Sequence, residues 1–373
     1  MVTYMPSSNP FRTIIPILTA EELVVISKKN VMKTSIRGTT SENVPHIKRA
    51  RKKEAVRIEL LSKELRERLF RIVEDFPSLN EEDISGFYVD MLDIIYGVDK
   101  TRQTLGSISG SANVIWKIKR DYIGKVWHAR NLLDAKYIRR AAFGRMHSVI
   151  RKLDKRLKFL ESIRQKMRLM PGIDLEQPTF CIAGYPNVGK SSLVNGVTSA
   201  EPEIGIYPFT TKEVTLGHLE VPVYASSKHT TPLTHIHAQI VDTPGILDRS
   251  LNERNDIELK ALAALKTLAT AIIFMFDFTQ KDAISAQINL FRQISEKFPD
   301  LPMLLLFSKG DLIDNSEKEV LESLWKKNFG DQEYHWVTSN DPTEIFSTLV
   351  SFFEENRNQI SKIMNQRKPT IGE

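Results

Sequence analysis

A chain of 373 residues is too long for one ordinary hydrophobic core and calls for two domains or three. Its 41% hydrophobic and 26% charged composition is that of a soluble globular protein; no uncharged apolar run could cross a bilayer, and residues 1–12 lack the apolar core of a secretory signal, so neither an exported nor a membrane chain is expected. One cysteine, Cys181, excludes an internal disulfide and suggests a reducing, cytoplasmic setting, while the net charge of +6 conceals 34 Lys and Arg against 20 acids in residues 1–175 and 18 against 26 in residues 176–373.

The basic half reads as helical. Thr19 and Glu22 have capping-box spacing, which predicts a short helix over 22–29. A looser stretch with Gly38 and Pro45 follows. From about Ile47 the residues Ile58, Leu61, Leu65, Leu69 and Ile72 recur on one helical face, until Asp75-Phe76-Pro77 breaks the run. Further helices are predicted from Leu79 to Tyr96, over 112–133, and over 135–170, where Pro171-Gly172 stops the last.

At Thr179 the pattern changes. Apolar runs at 180–183, 236–241, 271–276 and 303–307 end in polar, loop-like residues and alternate with helical stretches, as in a mostly parallel sheet covered on both faces. Ligands in such sheets sit beyond the carboxyl ends of the strands. The chain therefore reads as 1–46, an extended and short-helix segment; 47–172, a basic all-α helical bundle; 173–358, an α/β P-loop domain; and 359–373, a tail.

The first strand runs into Gly184-Tyr185-Pro186-Asn187-Val188-Gly189-Lys190-Ser191, an unbroken G-x-x-x-x-G-K-S. Its glycines let successive N–H groups wrap around phosphates. Lys190 supplies charge to the β- and γ-phosphates, Ser191 a hydroxyl to Mg²⁺, and the following helix its positive end. Val188, Gly189 and Ser192 complete the cradle. Asp242-Thr243-Pro244-Gly245, 52 residues after Lys190, closes a strand; there Asp242 can hold the metal and the Gly245 N–H can sense the γ-phosphate. In isolation those four residues would read as a turn.

Ser308-Lys309-Gly310-Asp311 follows the strand at 303–307. The Asp311 carboxylate can accept from guanine N1–H and the exocyclic amine together, a donor pair adenine lacks, while Lys309 lays its stem along the purine. Between the phosphate motifs, Thr211, with Thr210 as the alternative, would complete the Mg²⁺ shell when a γ-phosphate is bound. Ser339, in Val337-Thr338-Ser339-Asn340, would offer backbone contact to guanine O6.

These residues resemble the TRAFAC GTPases, their Obg-related branch and, within it, the Nog (nucleolar GTP-binding) family. The match includes the phosphate loop with Ser192, Asp242 to Asp248, and, in the helical half, Asp75-Phe76-Pro77, Phe87-Tyr88 and Ala141 to Met146. The resemblance implies GTP hydrolysis with Mg²⁺ and a role in maturation of the large ribosomal subunit. Its partners would be pre-ribosomal RNA and ribosomal proteins, with no membrane, and a monomer off the ribosome is expected. Since the sequence ends soon after the GTPase region, it looks like a compact, archaeal-type version.

Two departures matter. The base-reading motif starts with Ser308 where most GTPases carry Asn, so guanine affinity should fall. Ile246 replaces the water-orienting Gln of Ras-like enzymes, so intrinsic hydrolysis should be slow. In related GTPases an asparagine at this loop position helps hold a monovalent cation where an arginine finger would act, so the resemblance implies either a K⁺ ion at Asn187 or a residue that merely stabilises its loop.

Residues 117–168 carry 17 Lys and Arg against four acids, with Trp116, Tyr122, Trp127 and Tyr137 interleaved. Such stripes suit RNA phosphates and exposed bases, although any one of these rings would ordinarily be core. Two other readings stand beside ribosome assembly: an Obg-related translational or tRNA-modifying GTPase, and a nucleotide-gated scaffold that hardly hydrolyses GTP.

Overall fold

The computed structural model describes residues 9–36, 45–80, 86–207, 213–223, 232, 234–243, 245, 247–248, 256–338 and 341–367. The chain divides into two compact units. One combines Pro10–Leu79 with Tyr96–Arg168; the other combines Met1–Asn9, Asn80–Ile95 and Leu169–Glu373.

In the helical unit, α1 spans Ala20–Lys33, and its capping box is complete: the Glu22 N–H donates to Thr19 Oγ1 at 3.3 Å and the Thr19 N–H to Glu22 Oε2 at 2.8 Å. Helix α2, His46–Asp75, buries Ile58, Leu61, Leu65, Leu69 and Ile72 on one side, as their spacing predicts. Each contributes about 1.5–3 kcal/mol relative to exposure. Glu54 of α2 is buried and ion-paired with Arg139 at 2.5 Å and Arg57 at 3.2 Å, so part of the basic excess is structural. Because Glu21 pairs with Arg151 and the Ala20 N–H donates to Asp154, α1 is anchored within this bundle, and the unit begins at Pro10 rather than at residue 47.

Helix α4, Val98–Trp127, starts well before the expected residue 112. The predicted run over 135–170 is two helices, α5 (Leu132–Arg151) and α6 (Asp154–Met167). Neither proline nor glycine marks their junction. The Leu153 side chain is buried there, and its N–H closes a tight turn on Ile150 O at 2.9 Å.

The helix between α2 and α4 behaves differently. Helix α3, Gly86–Tyr96, buries Phe87, Tyr88, Met91 and Leu92, yet residues 80–95 belong to the second unit. The Tyr88 hydroxyl donates to Pro171 O at 2.7 Å and accepts from the Ile173 N–H at 3.0 Å; Phe87 meets the buried Tyr207 ring edge-on at 6.1 Å. The boundary expected at 172 therefore misplaces this helix. Periodicity shows that a face is apolar without showing which core receives it.

The second unit holds a seven-stranded sheet in the order β2-β3-β4-β1-β5-β6-β7. Its strands are β1 (Thr179–Gly184), β2 (Glu203–Ile206), β3 (Glu213–Val223), β4 (Thr234–Asp242), β5 (Ala271–Phe276), β6 (Met303–Phe307) and β7 (His335–Trp336). Strands β4, β1, β5, β6 and β7 run parallel; β2 and β3 join antiparallel.

Helices α7 (Lys190–Val197), α8 (Asp256–Leu268), α9 (Ile284–Lys297), α10 (Asn315–Phe329) and α11 (Pro342–Arg367) complete the unit. Alternation along β5 sends Ile273 and Met275 into a core with Leu193, Ile345 and Leu349. It sends Phe274 and Phe276 against Phe291 and Trp325 on the other face. The tail expected from residue 359 instead continues α11 to Arg367. Ile360 is in the core and the Arg367 guanidinium donates to Ala269 O.

Candidate nucleotide site

Central strand β1 delivers the glycine loop. Gly184 has φ 142°, and a Cβ there would lie 2.5 Å from Met275 O, so only glycine lets the loop leave the sheet this close to β5. Its N–H donates to Leu247 O at 3.0 Å, tying the loop to the segment after β4. Asn187 (φ 66°) and Gly189 (φ 102°) take left-handed conformations immediately before α7, leaving the first N–H groups of that helix facing the loop.

The Lys190 ammonium lies across the loop, donating to Gly184 O and Tyr185 O at 2.9 Å each. Ser191 Oγ donates to Asp242 Oδ2 at 2.8 Å, with Asp242 buried at the end of β4. A hydroxyl and a carboxylate side by side at the helix start are hard oxygen donors. They suit Mg²⁺, which commonly takes one or two protein ligands and completes its shell from phosphates and water. Gly245, φ 87°, follows on the same segment.

A cavity of about 200 Å³ lies between this loop and the stretches that hold Ser308, Lys309 and Thr338. Asn187, Val188, Gly189 and Ser192 line one side; Ser308, Lys309 and Thr338 line another. Asp311 is exposed on the 3₁₀ turn Gly310–Leu312 that follows Lys309. Thr211, Thr210, Ser339 and Ile246 lie outside the described residues. The structure thus brings together Asn187 to Ser192, Asp242, Ser308 and Lys309.

Sequence reasoning missed Asp277. It follows β5, is fully buried, and meets the Lys309 ammonium at 2.5 Å. Burial pushes its carboxyl up, but the bonds from Lys309, Thr279 and Gln280 more than reverse this, leaving it below the usual carboxylate range. An acid ending an otherwise apolar strand was the available signal, since a buried carboxylate needs a partner. Cys181 is a core residue whose thiol burial pushes up to about 12, so it supplies no nucleophile.

In the helical unit the interleaved aromatics separate. Trp127 and Tyr137 are exposed (47% and 71%), Trp116 is marginally so with Arg120 over its ring at 4.9 Å, and Tyr122 is buried. Among the described residues no helix is long and apolar enough to cross a membrane.

The sequence matches two family models: "NOG1 N-terminal helical domain" over residues 11–174 and "50S ribosome-binding GTPase" over residues 179–309. Nucleolar GTP-binding protein 1 of Caenorhabditis elegans is 34% identical over 316 residues, covering 84% of this chain and 44% of that protein. The Arabidopsis thaliana protein of the same name is 35% identical over 264 residues, 69% of this chain and 37% of that one. An uncharacterized protein of Methanocaldococcus jannaschii is 31% identical over 309 residues, 82% of each.

The chain spans less than half the length of these eukaryotic relatives. Their names correct the cytoplasmic expectation, because they point to the nucleolus. A lone buried cysteine speaks to redox conditions, which do not separate one reducing compartment from another. With a NOG1-type helical region followed by a GTPase domain, the chain belongs to the Nog family of GTP-binding proteins.

Proposed function

We propose that this protein is a GTPase that assists assembly of the large ribosomal subunit, docking on ribosomal RNA through its basic helical unit. The observation that carries the nucleotide part is the Ser191–Asp242 pair set beside a glycine loop that shares one cavity with Ser308 and Lys309. In this reading Lys190 leaves its loop carbonyls to neutralise the β- and γ-phosphates. Ser191, Asp242 and Thr211 would hold Mg²⁺, which would supply positive charge to the phosphates. The Gly245 N–H reports whether a γ-phosphate is present. Asp311 reads the guanine edge, Lys309 covers its face, and the Ser339 backbone approaches O6. Asn187 would hold a K⁺ ion, whose charge would supply part of what an arginine finger gives to hydrolysis.

The ribosomal part is supported by the description of the matched GTPase model and by the relatives' names. It is also supported by 17 cationic side chains over residues 117–168 with Trp127 and Tyr137 exposed among them. The test is co-sedimentation with large ribosomal subunits and their precursors, in a non-hydrolysable GTP analogue and in GDP. Nucleotide-dependent migration with the large-subunit fraction is expected. Absence from it in both states would remove the ribosome from this account while leaving the nucleotide site standing.

A further inference from the structure

The departure at Ser308 leaves a mechanical problem that the neighbouring residues resolve. An asparagine side chain carries two donors and an acceptor and can span from its own strand to a facing loop. Ser308 has one hydroxyl hydrogen, and it is spent within the sheet: both Ser308 Oγ and the Ser308 N–H donate to Phe276 O, at 2.9 and 2.8 Å.

The tie to the phosphate loop comes from elsewhere. Gln280 Nε2 donates to Pro186 O at 3.4 Å and Lys309 Nζ to Asn187 O at 3.3 Å, so two consecutive loop carbonyls are held from one side. Both donors are anchored on Asp277 Oδ2, Gln280 at 2.9 Å and Lys309 at 2.5 Å. Asp277 is itself immobilised. Gln287, also buried, accepts from the Asp277 N–H and donates to its carbonyl, each at 2.8 Å, while Thr279 donates to Oδ1 through both its N–H and its hydroxyl.

Backbone conformation points the same way. Asn187 and Lys309 are the non-glycine residues with positive φ among those described, at 66° and 58°, and they are the two ends of one hydrogen bond. Each conformation costs on the order of 1 kcal/mol or more and persists where its surroundings over-determine it.

We propose that Asp277, Gln280 and Lys309 form a brace that holds the Pro186-Asn187 stretch in its nucleotide-binding curvature, replacing a tie that asparagine would supply from position 308. This rests on the guanine-nucleotide reading of the cavity. Asp277 and Gln280 are positioning residues: they set the loop and the Lys309 stem, and the nucleobase is read by other groups.

The test is the release rate of a fluorescent GDP from the full chain. Parent protein that fails to bind it would overturn the nucleotide reading itself, and the brace with it. Given binding, Gln280→Ala should release GDP about 3- to 10-fold faster, the worth of one ordinary hydrogen bond. Its preference for guanosine over xanthosine diphosphate and its melting temperature should stay as in the parent. Asp277→Asn, which removes the charge holding Lys309, should accelerate release further.

The decisive variant is Ser308→Asn combined with Gln280→Ala. If asparagine restores the tie, release returns to within about twofold of the parent, a rescue that general destabilisation would not give. Parental release from Gln280→Ala, or a double variant no slower than Gln280→Ala alone, overturns the brace.

Discussion

Acidification from pH 7 to pH 5 should weaken the helical unit through His147. This residue of α5 is buried, its Nε2 has no hydrogen-bond partner, and its ring lies 6.0 Å from that of Phe143. Burial pushes its pKa down from 6.5 to about 4; Arg151 and Lys28 push the same way and Glu21 opposes them. In the unfolded chain the ring takes up a proton near pH 6.5, while the folded chain refuses it until about pH 4. The folded-state pKa is depressed, so stability is fully present above pH 6.5 and is lost as pH falls toward 4. At 1.36 kcal/mol per pH unit, the loss between pH 7 and 5 is about 2 kcal/mol. Urea unfolding followed by circular dichroism, in the parent and in His147→Gln, isolates this contribution from other histidines. The parent should lose about 2 kcal/mol more than the variant over that interval. Equal losses would refute the assignment of a neutral, buried imidazole.

Three further outcomes test the nucleotide site. Lys190→Ala removes a charge-assisted donor to the phosphates and should weaken GTP binding at least about 100-fold by equilibrium titration; retained affinity would refute the phosphate-loop role. Asp311→Asn should shift preference from guanosine toward xanthosine triphosphate by about 100-fold, roughly 3 kcal/mol of charge-assisted bonding, and an unchanged ratio would remove Asp311 from base reading. Turnover should be faster in K⁺ than in Na⁺; equal rates, with and without ribosomal particles, would dismiss a cation at Asn187.

Residues that act through a contiguous motif were legible in the sequence. The run Gly184 to Ser191 implies a strand, a loop and a helix together, because that spacing serves little else. The face of α2 was equally plain, since Ile58 to Ile72 keep one period over several turns. Strands β2 and β3 were missed: β2 is only Glu203–Ile206, and β3 interleaves Thr215, His218 and Glu220 with its apolar residues. Asp277 escaped because it belongs to no motif of its own. Its significance comes from Lys309, 32 positions later, and from Pro186 and Asn187, about 90 positions earlier. Only a folded sheet brings these together.

The assignment of α3 to the GTPase unit has a consequence for how this protein can be taken apart. The matched NOG1 region over 11–174 includes α3, so it is a region of sequence that contributes to both compact units. A fragment starting at residue 173 would contain every phosphate motif. It would nevertheless lack Phe87, which packs on Tyr207, and Tyr88, whose hydroxyl accepts from the Ile173 N–H. Such a fragment presents raw apolar surface beside the strand that leads into residues 208–212. The better dissection keeps residues 80–95 with residues 169–373 by circular permutation, because a single cut in the sequence separates neither unit whole.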